Sequence, residues 1–296
     1  MRGRDLADLL LLAAVWGASF LFMRIAVPQF GPLPLMALRC AIGAACLLPL
    51  LALRGDPSVL RRRAGALAAV GVLNSALPFA LFAYATLSLS AGFTSLLNAT
   101  TPLWGAIVAA AWLGERPSRR QLAGLAIGFA GVLMLVRGRV SSAPDGDGLA
   151  IAAALAATLS YGVAASFARR RLSGVDPLAN ATGSQVGAAI ALAPFAIASR
   201  PAAMPDAGAW LATIALGVAC TGLAYVLYFR LIARTGAARA MTVTFLIPVF
   251  GILWGALFLD ETVTAGMLVA GAIVLLGTAL GAGAIGGRAP ARRPAG

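Results

Sequence analysis

The chain has 296 residues, of which 60% are hydrophobic and only 11% charged, and its mean hydropathy is +0.91. A water-soluble core of this size would carry far more charge, so most of the chain belongs in lipid. The net charge of +13 comes from 23 arginines spread in short clusters between apolar runs, a topology signal that argues against nucleic acid as a partner.

Ten apolar runs follow one another: 6–27, 33–53, 65–87, 92–113, 120–137, 148–168, 177–198, 208–229, 238–259 and 264–285. Each is close to the 20 or so residues that span about 30 Å of hydrocarbon as a helix. The first follows Arg2 and Arg4 as a signal peptide would. It is too long for that, carries Trp16 and Arg24, and lacks a small-residue cleavage site, so it reads as a retained helix. The connections are short. The tail 288–296, with Pro290, Arg292, Arg293 and Pro294, reads as disordered. Cys40, Cys46 and Cys220 all lie inside apolar runs and there is no histidine, so neither a disulfide framework, a metal site nor a cofactor is expected.

A long stretch of the sequence occurs twice. Residues 94–116 and 240–262 align with an offset of 146, which pairs Pro102 with Pro248, Gly105 with Gly251 and Glu115 with Glu261. Earlier, Val15-Trp16-Gly17 pairs with Ser160-Tyr161-Gly162 at an offset of 145, as does Pro49 with Pro194. With the N-terminus placed inside the cell, eighteen arginines fall in cytoplasmic segments and only Arg137, Arg139 and Arg200 fall outside. That bias puts both termini in the cytoplasm. Five helices per half is an odd number, so the halves enter the membrane from opposite sides. The expected fold is therefore an all-α integral membrane protein of ten transmembrane helices. Residues 1–140 form one five-helix repeat and 141–287 a second, inverted one. Such a repeat gives one cavity two openings.

Proline cannot donate to the carbonyl four residues back, so Pro102 and Pro248 are expected to free the carbonyls of Asn98 and Thr244 and to act as hinges. Interrupted helices at matching positions of two halves point to a transporter's binding site, although membrane helices also carry proline for packing alone.

Several stretches resemble the drug/metabolite transporter superfamily, specifically its EamA-type ten-helix members. They are Trp16-Gly17-Ala18-Ser19-Phe20, Ala37-Leu38-Arg39-Cys40, Phe82-Ala83-Tyr84-Ala85, Thr101-Pro102-Leu103, Leu113-Gly114-Glu115-Arg116 and Leu259-Asp260-Glu261. The resemblance covers nearly the whole chain and implies a central cavity lined by helices 1, 3, 4, 6, 8 and 9. Family members move amino acids, other metabolites and toxic compounds, and many bacterial ones are exporters. The four-helix multidrug members exchange protons through a first-helix glutamate, and here 6–27 has only Asp8 near its end.

All ten acidic residues fall in loops or at helix ends, so no proton relay of the usual kind sits mid-membrane. Two intramembrane cations remain. Arg24 either snorkels or attracts an anion, and Arg39 is either a carboxylate anchor or a structural hydrogen-bond hub. The substrate-binding candidates are Trp16, Arg39, Asn74, Phe79, Asn98, Thr101, Tyr161, Tyr225 and Thr244. Asn98 leads, because an amide both donates and accepts. Gly124 and Gly128, with Gly277 and Gly281, permit close helix approach either between the repeats or between subunits, and the chain reads as a monomer or weak homodimer. Glu115 and Glu261 read as caps on helix connections or, in a sharper reading, as gates.

The expected protein is a bacterial inner-membrane carrier, not an enzyme. It exports small metabolites, amino acids or related zwitterions first, by alternating access, with the bilayer and a small-molecule substrate as its partners. The alternatives are export of drugs or toxic compounds, and carriage of nucleotide-sugars or lipid-linked sugars. A membrane-embedded enzyme is disfavoured by the missing histidine and carboxylate pair.

Overall fold

The computed structural model describes residues 3–140 and 147–281. Among these, every regular element is helical. Eight helices are long and apolar enough to cross a membrane: α1 (Gly3–Phe30), α2 (Pro32–Arg54), α3 (Ala64–Ala85), α4 (Ala91–Leu113), α5 (Arg119–Val140), α6 (Asp147–Arg171), α7 (Pro177–Ala198) and α8 (Ala207–Thr235). Two shorter apolar helices follow, α9 (Val243–Phe258) and α10 (Ala265–Gly281). Each expected apolar run overlaps one of them; the ninth begins ahead of α9 and the tenth continues beyond the described residues. The expected tail at 288–296 and the repeat boundary at 141 lie outside the described residues.

The helix ends follow from local chemistry. The Asp176 carboxylate accepts from the amides of Leu178 and Ala179 to open α7, and Asp206 accepts from Ala209 to open α8. Gly114 closes α4 in the left-handed region at φ 70°, a conformation that costs glycine nothing.

Glycine also sets the closest approaches. Gly124 and Gly128 of α5 meet Gly277 and Gly281 of α10 backbone to backbone, so this glycine seam joins two helices of one chain. Gly17 of α1 lies against Ile247 and Gly251 of α9, and Gly162 of α6 lies against Trp104 and Gly105 of α4. These two contacts are related by the repeat offsets.

Three irregularities interrupt the helices around the centre. α3 widens into a π-turn at Val72–Ala76 and α8 does so at Val218–Leu223, again 146 residues apart. α4 breaks at Ala99–Thr100, and its second segment restarts at Thr101. Pro102 therefore sits in a first helical turn, where the missing amide is not needed. The second copy differs from the sequence expectation. α9 runs unbroken through Pro248, and its interruption lies earlier, at Met241–Thr242, after a short helix Ala237–Ala240. There the hydroxyls of Thr242 and Thr244 bond back to the carbonyls of Arg239 and Met241, an alternative to the helical ladder that opens the chain before the proline is reached.

Candidate functional site

The irregular segments meet around a central cavity of about 370 Å³. Its wall is drawn from α1, α2, α3, α4, α6, α8 and α9, so α2 joins the six helices that the family resemblance implies. Trp16, Arg39, Asn74, Phe79, Asn98, Thr101, Tyr161, Tyr225 and Thr244 all line it. Pro102 and Pro248 do not; each stands next to a lining residue, Thr101 and Ile247.

The π-turns supply much of the polar wall. Asn74 lies in the first, and Cys220 and Thr221 lie in the second. A π-turn leaves a carbonyl loose, and Leu73 O accepts from Ser160 of α6 at 2.7 Å. In the other half the Cys220 thiol donates to Val15 O of α1 at 3.1 Å. Ser75 is withdrawn from the cavity and accepts from Gln185 of α7 at 3.0 Å. Aromatic rings form the apolar wall. Trp16 tilts against Tyr228, and Phe82 stands between Phe20 and Tyr161.

Among the described residues Arg39 is the one charged side chain on the cavity, and it is 5% exposed. Its Nε donates to Thr221 Oγ1 at 3.2 Å, and its guanidinium lies 3.9 Å from the Phe79 ring centre. Among the described residues no carboxylate pairs with it. A guanidinium carries five donors in a planar fork, so four of them have no hydrogen-bond partner among the described residues. The wall thus offers one cation, amides from Asn74 and Asn98, hydroxyls from Thr101, Tyr161, Thr221, Tyr225 and Thr244, and apolar faces for the remainder of a ligand.

Arg24 lies outside this set. It donates to the carbonyls of Thr86 (2.6 Å) and Leu87 (2.8 Å), closing the end of α3. Asn98 keeps its side chain on the cavity while its carbonyl accepts from Thr101 Oγ1 at 2.8 Å. Sequence reasoning missed Thr221, Cys220 and Tyr228. Only the 146-residue offset carries a signal for them, since it pairs Tyr228 with Phe82 and Cys220 with Asn74. Among the described residues no group of three or more His, Cys, Asp or Glu side chains is placed to hold a metal.

The charges gather at the two ends of the bundle. At the arginine-rich face, Asp8 pairs with Arg230 (2.6 Å) and Arg234 (3.1 Å), and Glu115 pairs with Arg169. The hydrogen bond from Arg169 holds the Glu115 carboxyl below its ordinary range. At the opposite face Gln29 and Asp206 exchange two hydrogen bonds, at 2.7 and 2.8 Å. The Asp206 carboxyl is also held low, first by the Ala209 amide and then by Gln29.

The model of the EamA-like transporter family matches residues 7–137 and again 148–282. An "Uncharacterized transporter" of Archaeoglobus fulgidus is 24% identical over 91% of this chain and 95% of its own length. A "Probable amino-acid metabolite efflux pump" of Escherichia coli is 26% identical over 93% of each. A solved crystal structure superposes with a TM-score of 0.64 at 23% identity, covering 95% of this chain and 96% of its own, and carries the fold alone.

Proposed function

The chain belongs to the EamA-like transporter family, and from that premise we propose that it exports small metabolites bearing a carboxylate, amino acids first, by alternating access. It is a multi-pass membrane transporter. The observation that carries the substrate class is Arg39, a nearly buried guanidinium on the cavity with no acidic partner among the described residues. A bare cation in so apolar a place is costly, and an anionic group of the ligand offsets that cost. Asn98 and Thr244 suit a zwitterion's other end, since an amide and a hydroxyl accept from an ammonium. A cavity of about 370 Å³ fits a small molecule of this kind. Relatives described as amino-acid metabolite efflux pumps agree with this reading.

The transport cycle we propose rests on two inverted five-helix halves, α1–α5 and α6–α10, with both termini in the cytoplasm of a bacterial inner membrane. Its support is the repeat at offsets of 145 and 146, the matched π-turns, the mirrored contacts of Gly17 and Gly162, and the arginine bias toward one face. The arginine-rich face is then the cytoplasmic one.

Counterflow in proteoliposomes tests the substrate. Vesicles are loaded with one unlabelled compound from a panel of amino acids and metabolites, and entry of the labelled compound is followed without any ion gradient. Saturable accumulation of an amino acid, lost in Asn98→Ala and Arg39→Gln, is expected. Accumulation of uncharged amphiphiles or sugars instead, unaltered in Arg39→Gln, would replace the carboxylate reading with one of the alternatives.

A further inference from the structure

Four residues that are equivalent by the repeat make different contacts at the two faces. At the face opposite the arginine-rich one, the turn between α3 and α4 is held at both of its ends. Arg24 donates to the carbonyls of Thr86 and Leu87, which close α3. Glu261 accepts from the amides of Ala91 (2.7 Å) and Gly92 (3.2 Å), which open α4. The repeat partner of Arg24 is Arg169, and that of Glu261 is Glu115. By the same offset their target would be the turn from Ile232 and Ala233 to Ala237 and Ala238. Among the described residues Arg169 donates to Glu115 and not to the carbonyls of Ile232 or Ala233.

The difference is not one of backbone design. The Glu261 amide donates to Gly255 O at 3.2 Å and the Glu115 amide donates to Ala109 O at 3.4 Å, so both glutamates leave equivalent turns. Packing differs in the same sense. Gly251 of α9 is pressed against Ser95 of the first segment of α4, whereas its partner Gly105 faces open space. α4 and α9 are thus closed on each other at the Glu261 face and apart at the Glu115 face. In addition, Ser90 caps α4 by accepting from the Phe93 amide, while its partner Gly236 has no side chain to do so.

We propose that Arg169 with Glu115, and Arg24 with Glu261, are two halves of a reciprocal gate. When the arginine-rich face closes, Arg169 leaves Glu115 for the carbonyls of Ile232 and Ala233, and Glu115 takes the amides of Ala237 and Ala238. At the other face Arg24 and Glu261 let go of the α3–α4 turn and pair with each other. Each face therefore exchanges an ion pair for two backbone clamps; at the α3–α4 turn the start of α4 receives an anion and the end of α3 a cation, as their dipoles favour. The inference rests on the alternating-access reading above.

A charge swap separates a gate from a structural pair. Glu115→Arg combined with Arg169→Glu keeps the mutual ion pair, but would aim a cation at amides and an anion at carbonyls, which forbids the second clamp. Spin labels on a cysteine-free background report the two faces, one pair at Arg116 and Arg239, the other at Ser88 and Thr262. All four sites are exposed and none is a clamp residue. In the parent protein both pairs are expected to show a short and a long distance in inverse proportion. In the swap the short Arg116–Arg239 distance is expected to fall roughly tenfold in population, the size set by losing one charged hydrogen bond. The matching swap at the other face, Arg24→Glu with Glu261→Arg, keeps that pair but forbids its clamps and is expected to raise it. A swap with parental populations at both faces would overturn the gate and leave alternating access standing. Distances that never change in the parent would overturn both. Because the labels report folded protein, a variant that misfolds is recognised by its loss of both distances, and the swap at the other face, with the opposite shift expected, then decides.

Discussion

Arg39 Nε and Thr221 Oγ1 meet at 3.2 Å between the first half of α2 and the π-turn of α8. That bond fixes the plane of the guanidinium over Phe79 and leaves its terminal nitrogens without a hydrogen-bond partner among the described residues. Arg39→Gln is expected to weaken exchange of a carboxylate substrate on the order of 30-fold, the equivalent of roughly 2 kcal/mol for a lost charged hydrogen bond. Arg39→Lys keeps the charge but not the fork, and should fall between. Concentration dependence of counterflow measures both.

The two repeat prolines predict unequal outcomes. Pro102 occupies a first helical turn, so Pro102→Ala should leave stability within about 0.5 kcal/mol of the parent. Pro248 lies inside α9, so Pro248→Ala returns an amide to the carbonyl of Thr244 and should stabilise by about 1 kcal/mol. Thermal unfolding in detergent distinguishes them.

A side chain at Gly277 would run into the Gly128 amide across the α5–α10 seam. Gly277→Val should destabilise by about 2 kcal/mol or more, because the obstacle is backbone and cannot swing aside. Its unfolding midpoint is expected to drop, while Gly266→Val, at an open position, leaves it unchanged.

Asp206 has a carboxyl held below its ordinary value in the fold, so its contribution to stability is present above the unfolded-state value and lost as pH falls through the lower folded one. The midpoint gap between the parent and Asp206→Ala should therefore be constant from neutral pH to about 4 and narrow below it. A gap that widened on acidification would contradict the assignment.

Much of this was written in the chain. The family resemblance implied six of the seven helices that meet at the cavity, and polar residues in otherwise apolar runs supplied candidates for its wall, because a polar side chain in lipid needs a partner or water. Gly124 and Gly277 could be seen as a close contact, although the sequence left open whether it lay within one chain. What the sequence hid has physical causes. A π-turn adds one residue to a turn and leaves no compositional mark, so Thr221 and Cys220 looked like ordinary helix residues. The interruption near Met241–Thr242 depends on hydroxyls bonding backward, a choice that a threonine makes only in context. Glu261 reaches amides 169 and 170 residues away in sequence, and no local pattern announces that.

α5 and α10 contribute nothing to the cavity wall, yet glycine brings them together more tightly than most neighbours in the bundle. In a two-lever machine such a place is the pin. It has to be narrow, so that a small rotation of one lever is not absorbed as compression, and it has to stand clear of the cargo. In the alternating-access cycle proposed above, mechanical work done at one face would arrive at the other with its direction reversed, and an object wedged into the seam would stop the machine without ever meeting what it carries.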